Sequence, residues 1–173
     1  MKNRIQDIQL RPPDVADGSE IWRIVKDSGT LDLNSAYLYL LLCKDFPQTC
    51  VVAEQNGRLV GFATGYRPPE RDDVIFLWQI GVDAALRGQG LGKRLLTRFL
   101  DSEGARGTSY LETTISPSNQ ASQKLFRGLA RDLGTECQVS PCFTADQFPN
   151  GHEAEDLYRI GPFGTATLRR LTT

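Results

Sequence analysis

Hydrophobic residues recur along this chain with two periods. Phe76-Leu77-Trp78-Gln79-Ile80-Gly81-Val82 is an almost unbroken apolar run and predicts a buried strand. Leu91, Leu95, Leu96, Phe99 and Leu100 follow at the 3.6-residue spacing of an amphipathic helix. Upstream, Ile5, Ile8 and Leu10 predict a first strand that Pro12-Pro13 closes. Asp14 then stands where a cap opens a helix carrying Val15, Ile21, Ile24 and Val25, with Gly29 at its end. A second, strongly apolar helix starts after Asn34 or Ser35 and stops near Pro47. Cys50–Glu54 and Leu59–Tyr66 read as strands joined through Asn56-Gly57, a strong hairpin signal.

A polar loop, Arg67–Asp73, leads into the central strand and helix. Beyond them lie a strand at Tyr110–Ile115, a turn and cap at Ser116–Asn119, and a helix at Ala121–Arg131. Late strands are expected at Thr135–Val139 and Leu157–Ile160 around a long loop from Phe143 to Asp156. Residues after Gly164 are expected to fray. The order βααβββαβαββ predicts an α/β (α+β) fold, a central twisted mixed sheet with helices on both faces. A length of 173 residues suits a single domain spanning 1–173.

Charge narrows the functions. Twenty basic and 21 acidic side chains leave a formal net charge of −1. That balance supplies no field for wrapping nucleic acid or adhering to an anionic membrane, and it favours small-molecule chemistry. No apolar run approaches the roughly 20 residues of a membrane span, and MKNRIQDIQL lacks the apolar centre of a signal peptide, so a cytoplasmic protein is expected. Cys43, Cys50, Cys137 and Cys142 show no C-x-x-C spacing; buried free thiols are expected, and no metal.

Between the central strand and its helix lies Arg87-Gly88-Gln89-Gly90-Leu91-Gly92, where backbone N–H groups gather at the positive end of a helix dipole and suit a phosphate. A P-loop would need Gly at 87 and Ser or Thr at 94, both of which are Arg here. A dinucleotide fingerprint would need Gly at 93, which is Lys. What remains, Arg-x-x-Gly-x-Gly after a strand ending in Ile-x-Val, resembles the acetyl-CoA site of the GNAT acetyltransferase superfamily. The resemblance implies that Arg87, Gly88, Gln89, Gly90, Leu91, Gly92 and Lys93, with Ile80 and Val82 on the strand and Asn119 further on, contact acetyl-CoA as cosubstrate.

Three further stretches resemble the diaminobutyrate acetyltransferases of that superfamily, which make the precursor of the compatible solute ectoine. They are Asp32–Tyr39 running on to Cys43–Phe46, Leu111–Ile115 running on to Asn119–Ser122, and Gly151–Ile160. Such a substrate carries two ammonium groups and a carboxylate, so its pocket needs anions and π faces for the cations and separate donors for the carboxylate. Asp32, Tyr37, Trp78, Glu112, Thr113 and His152 are of the right types. Strand alternation puts Trp78, Ile80 and Val82 on one face, and Glu112 and Thr114 on one face of the next strand. If those strands part where acetyl-CoA enters, as in GNAT folds, Trp78 and Glu112 both border the cleft.

Each candidate has a plainer alternative. Trp78 also suits a core, Asp32 and Asn119 also suit helix caps, and His152, the only histidine, also suits a solvated loop without the second His of a zinc motif. Glu112 inside an apolar strand is costly unless paired, which favours function. The chemistry asks for loss of a proton from the attacking amine, with Glu112 as candidate, and for a backbone donor near Ile80 to the thioester oxygen. Where many GNAT enzymes have a Tyr as acid, this chain has Phe126, so the general acid is unassigned. Other acceptors, such as a polyamine, a peptide N-terminus or an antibiotic, and a non-catalytic acyl-CoA-binding module are the competing readings. A homodimer is expected from the apolar excess of the 35–45 helix and the family resemblance.

Overall fold

The computed structural model describes residues 7–172; Ile5 of the expected first strand lies outside them. Seven strands and five α-helices follow in the order β1 (Gln9–Arg11), α1 (Asp17–Ser28), α2 (Ala36–Asp45), β2 (Cys50–Gln55), β3 (Arg58–Tyr66), β4 (Val74–Val82), α3 (Leu91–Leu100), β5 (Tyr110–Ile115), α4 (Gln120–Leu133), β6 (Glu136–Phe143), β7 (Glu155–Gly161) and α5 (Thr165–Thr172). The strands form one mixed sheet in the order β1-β2-β3-β4-β5-β7-β6. Two compact units share it. One holds the residues up to Arg67 with Leu77–Arg106, the other Pro68–Phe76 with the residues from Gly107 on.

In the first unit, β2 and β3 pair antiparallel from Cys50↔Thr64 to Gln55↔Arg58. Asn56 and Gly57 turn the hairpin with positive φ at both positions, the conformation that this dipeptide tolerates best. Side-chain alternation then sorts the helices. Phe62 faces Ile21, Ile24, Val25, Tyr39 and Leu42 from α1 and α2. Its neighbour Gly61 faces the other way: a Cβ there would meet Leu95 of α3 at 3.0 Å and Leu91 at 3.5 Å. Helices therefore cover both faces of β3, as the alternation of a strand requires. Gly29 ends α1 in the left-handed region, and Ser35, not Asn34, caps α2 by accepting from the Tyr37 N–H.

In the second unit, β5 is an inner strand. It runs parallel to the start of β4, Val74–Phe76 against Tyr110–Glu112, and antiparallel to β7 from Leu111↔Ile160 to Ile115↔Asp156. β7 pairs on its far side with β6. β6 extends four residues past the expected end at Val139 and includes Pro141, which an outermost strand accepts because the missing N–H interrupts no second ladder. The segment after Gly164, expected to fray, is helical. Phe163 is buried and its N–H donates to Ser109 O at 2.9 Å, which anchors the chain before α5 starts against α4.

The expectation of four buried thiols needs correcting. Cys43 and Cys50 are buried, but Cys137 is half-buried and Cys142 exposed, because both sit on the outermost strand. Burial pushes the Cys43 thiol up to about 12 and the Cys50 thiol up to about 11. At about pH 8 both are almost entirely protonated and shielded from reagents. Iodoacetamide is therefore expected to label Cys142 in the folded protein and Cys43 and Cys50 only in denaturant, as peptide mass mapping would read; rapid labelling of Cys43 in the native protein would contradict the packing of α2.

Candidate active site

The glycine loop is built by β4 and α3. Asp83, after the last residue of β4, accepts from the Ala85 N–H at 3.0 Å and starts a single 3-10 turn. Two side chains of the loop then fold back on its own backbone, Arg87 Nε to Val82 O at 3.3 Å and Gln89 Nε2 to Ala85 O at 3.1 Å. Gly88 has φ 72° and Gly90 φ 87°, which an L side chain rarely adopts, and an added Cβ would meet nothing at either place. Glycine is needed there for conformation, not for space. Gly90 occupies the N-cap position of α3 with no side chain capping the helix, and the ladder starts at Arg94 N–H to Gly90 O. The amides of Leu91, Gly92 and Lys93 stand at the positive end of the helix, where an anion such as a pyrophosphate is stabilised.

Above this loop β4 has two unlike faces. Leu77, Gln79 and Gly81 are buried, while Trp78, Ile80 and Val82 are half-exposed on the other side, as alternation predicts. Trp78 is both a wall of the core and part of that open face: it stacks on Tyr39 of α2 with centroids 6.1 Å apart. The buried Tyr39 hydroxyl donates to Gln79 Oε1 at 2.9 Å, and Gln79 Nε2 donates to the backbone oxygen of Asp32 at 2.9 Å. Trp22 Nε1 holds the same loop through Asn34 O at 3.1 Å. Because Ser35 does the capping, the exposed Asp32 side chain is not needed as a helix cap. Tyr37 is 67% exposed. Tyr39 and Gln79 were not among the sequence candidates; the available signal was Gln79, the single polar side chain between Phe76 and Val82.

In the second unit the Glu112 residue is 1% exposed. Its carboxylate is held by two guanidinium groups. Arg71 Nη1 lies 2.9 Å from Oε1 and 2.8 Å from Oε2, and Arg159 Nη1 donates to Oε1. Arg159 is the register partner of Glu112 on β7; its guanidinium also lies 3.7 Å from the centre of the Tyr110 ring and 3.8 Å from Asp73 Oδ2. A buried carboxylate is tolerable in this setting. Neither arginine was a sequence candidate, although Arg159 is the lone cation within β7, between Leu157-Tyr158 and Ile160.

Thr113 is buried on the opposite face of β5 from Glu112, so these two candidates do not present their side chains to the same side. Asn119 caps α4, its Oδ1 accepting from the Ser122 N–H at 3.1 Å, and its side-chain nitrogen donates to no group among the described residues. His152 stacks on Phe148 at 4.3 Å, Phe148 meets Phe143 edge-on at 6.1 Å, and the next residue, Glu153, accepts from the Ser118 hydroxyl. The loop that carries His152 is thereby tied to the turn before α4. Phe126 is buried in α4. Among the described residues no group of three or more His, Cys, Asp or Glu side chains is arranged to hold a metal ion, and no helix is long and apolar enough to cross a membrane.

Residues 18–130 match the acetyltransferase (GNAT) family. The chain is 51% identical over 160 residues to the L-2,4-diaminobutyric acid acetyltransferase of Marinococcus halophilus, covering 92% of each, and 49% identical over 162 residues to that of Nocardia farcinica, covering 94% of this chain and 84% of the relative. Among solved structures it is similar to the diaminobutyrate acetyltransferase of Paenibacillus lautus in complex with its substrate L-2,4-diaminobutyric acid and coenzyme A, with a TM-score of 0.88 and 40% identity over 91% of this chain and 96% of that one. The open helix end behind a positive-φ glycine loop and this likeness along the chain agree: the protein belongs to the GNAT family of acetyltransferases.

Proposed function

We propose that the chain acts as a single acetyltransferase domain that transfers the acetyl group of acetyl-CoA to the 4-amino group of L-2,4-diaminobutyrate, the step that makes the precursor of ectoine. The observation that carries this is the likeness to diaminobutyrate acetyltransferases, 51% identity over 92% of the chain, together with a glycine loop and uncapped helix of the kind that receives a pyrophosphate. Ile80 and Val82, the loop from Arg87 to Lys93, and Asn119 are the proposed contacts to acetyl-CoA.

Asp32 and Trp78 are the proposed clamp for the α-ammonium group, one by charge and one by its π face. Tyr37, Thr113 and His152 are assigned to the remaining polar groups of the substrate, Thr113 through its backbone. A substrate held by its α-ammonium and carboxylate presents only its far nitrogen to the thioester. With an amine pKa near 10.4, freeing that nitrogen costs on the order of 4 kcal/mol at neutral pH, and Glu112 lowers this cost by taking the proton directly or through a water. The Ile80 N–H is the proposed donor to the thioester oxygen as charge develops there. Phe126 has no proton to give, so the leaving thiolate takes one from the new ammonium; a thiol near pKa 8.5 is a tolerable leaving group.

The reading includes a cytoplasmic homodimer. α2 is apolar on nearly every side, burying Tyr39, Leu42 and Cys43 while exposing Tyr37 and Leu40, with Leu33 and Phe46 exposed beside it. A helix of that character is normally covered, and a second copy of the chain is the proposed cover.

Two outcomes are expected. Purified protein given acetyl-CoA releases thiol with L-2,4-diaminobutyrate, and substrates one methylene shorter or longer fall on the order of 10²-fold in kcat/KM, because a shift of about 1 Å misplaces the nucleophile. Equal rates with a polyamine or a peptide would instead assign another acceptor, and no release with any amine would favour a binding module. Gly90→Glu places a carboxylate at the anion site in a conformation that Glu resists, so calorimetry is expected to find no CoA binding by the folded variant. Unchanged CoA affinity would remove the glycine loop from the site.

A further inference from the structure

Glu112 meets charge from the loop before β4 and from β7, while its register partner on β4 is the uncharged Phe76. Arg71 comes from the loop before β4, Asp73 from the same loop, and Arg159 from β7. Beyond Arg159 lies β6, whose Cys142 thiol is pushed up by burial and then by the charges of Glu112, Glu155 and Asp156. The two arginines and two carboxylates of the inner group balance. An ammonium group approaching Glu112 therefore meets a carboxylate whose charge is already neutralised, and it gains little unless one cation leaves.

The two cations are held very differently. Arg159 is pinned from several directions: by Glu112, by Asp73 at 3.8 Å and by the face of Tyr110 at 3.7 Å, and its side chain is 29% exposed. Arg71 stands on a loop, its side chain is 48% exposed, and a single nitrogen, Nη1, makes both of its contacts to Glu112. Its Nε and Nη2 donate to no group among the described residues. Only the arginine end of the Arg71–Glu112 pair reaches solvent, so water screens and competes for that cation, whereas one fixed by several partners loses less entropy per contact.

Resting on the reading that Glu112 meets the substrate amine, we propose that Arg159 is a positioning residue that holds the Glu112 carboxylate through the reaction, and that Arg71 occupies the place on that carboxylate which the substrate ammonium takes when it binds. Binding is then an exchange of one cation for another. Arg71 swings into solvent, the buried charge stays balanced at each stage, and the proton later lost by the ammonium has the carboxylate released by Arg71 as its acceptor.

Steady-state kinetics with L-2,4-diaminobutyrate and acetyl-CoA test the exchange. Arg71→Ala removes the competitor and is expected to lower KM about two- to fivefold, the range that corresponds to an ion pair screened by water at one end, with the gain appearing in kcat/KM. In a Glu112→Gln background the same substitution is expected to leave KM where it was. Arg159→Met is expected to lower kcat on the order of 10²-fold by releasing the carboxylate from its geometry, and Arg159→Lys, which keeps the charge without the fork, to recover part of it. An unchanged or higher KM in Arg71→Ala, a KM gain that persists without Glu112, or wild-type kcat in Arg159→Met would overturn the proposal. Urea unfolding without substrate separates this from the choice of amine: Arg71→Ala is expected to lower the midpoint less than Arg159→Met does. The reverse ranking overturns the division between the two arginines whatever the acceptor, while wild-type inactivity toward diaminobutyrate overturns only the substrate.

Discussion

Alternation along β4 is the constraint from which the first unit is built. A strand must show successive side chains to opposite sides, so one residue of Phe76–Val82 in two is available for a ligand while the other half closes the core. The closed side does more than fill space. Gln79 links the buried Tyr39 hydroxyl to the backbone of Asp32, so the segment with a candidate substrate carboxylate is fixed by a residue on the far face from Trp78. Where β4 ends, left-handed glycines turn the chain into α3 with its first amides uncapped. One continuous stretch thus supplies a half-exposed apolar surface and an uncapped helix end, the two features that suit an acyl thioester attached to a phosphorylated carrier.

The second unit resolves a different conflict. An ionised carboxylate taken out of water costs several kcal/mol, yet the proposed acceptor of a proton from an amine must be ionised and close at hand. At Glu112 the cost is met by two guanidinium groups, one of them fixed against Tyr110 and Asp73. That pairing explains how Glu112 is tolerated in β5, and it also means that the carboxylate cannot be treated as an unoccupied base. Its chemistry depends on what its cations do.

Much of this was legible in the sequence, for identifiable reasons. Periodicity or an unbroken apolar run located the strands and helices through β7, and Asn56-Gly57 located the hairpin because few other dipeptides accept two positive φ angles. The glycine loop was legible because elimination of two other phosphate motifs left a single pattern. What failed did so locally. β6 runs past the expected end at Val139 because an outermost position tolerates Pro141, and α5 has only eight residues, anchored by a buried Phe163 whose partner is distant in sequence. Arg71 and Arg159 were invisible as partners of Glu112 because they lie 41 and 47 positions away, and only the register of β5 against β7 and the path of the loop before β4 bring them to it.

Which nitrogen carries the acetyl group is the most direct test of the account. NMR of the product formed from L-2,4-diaminobutyrate and acetyl-CoA labelled with carbon-13 in the acetyl group is expected to show the carbonyl coupled to the methylene end of the molecule, as the N4-acetyl isomer. Acetylation at the α-nitrogen would contradict the account, because the group assigned to the clamp would then be the group that reacts.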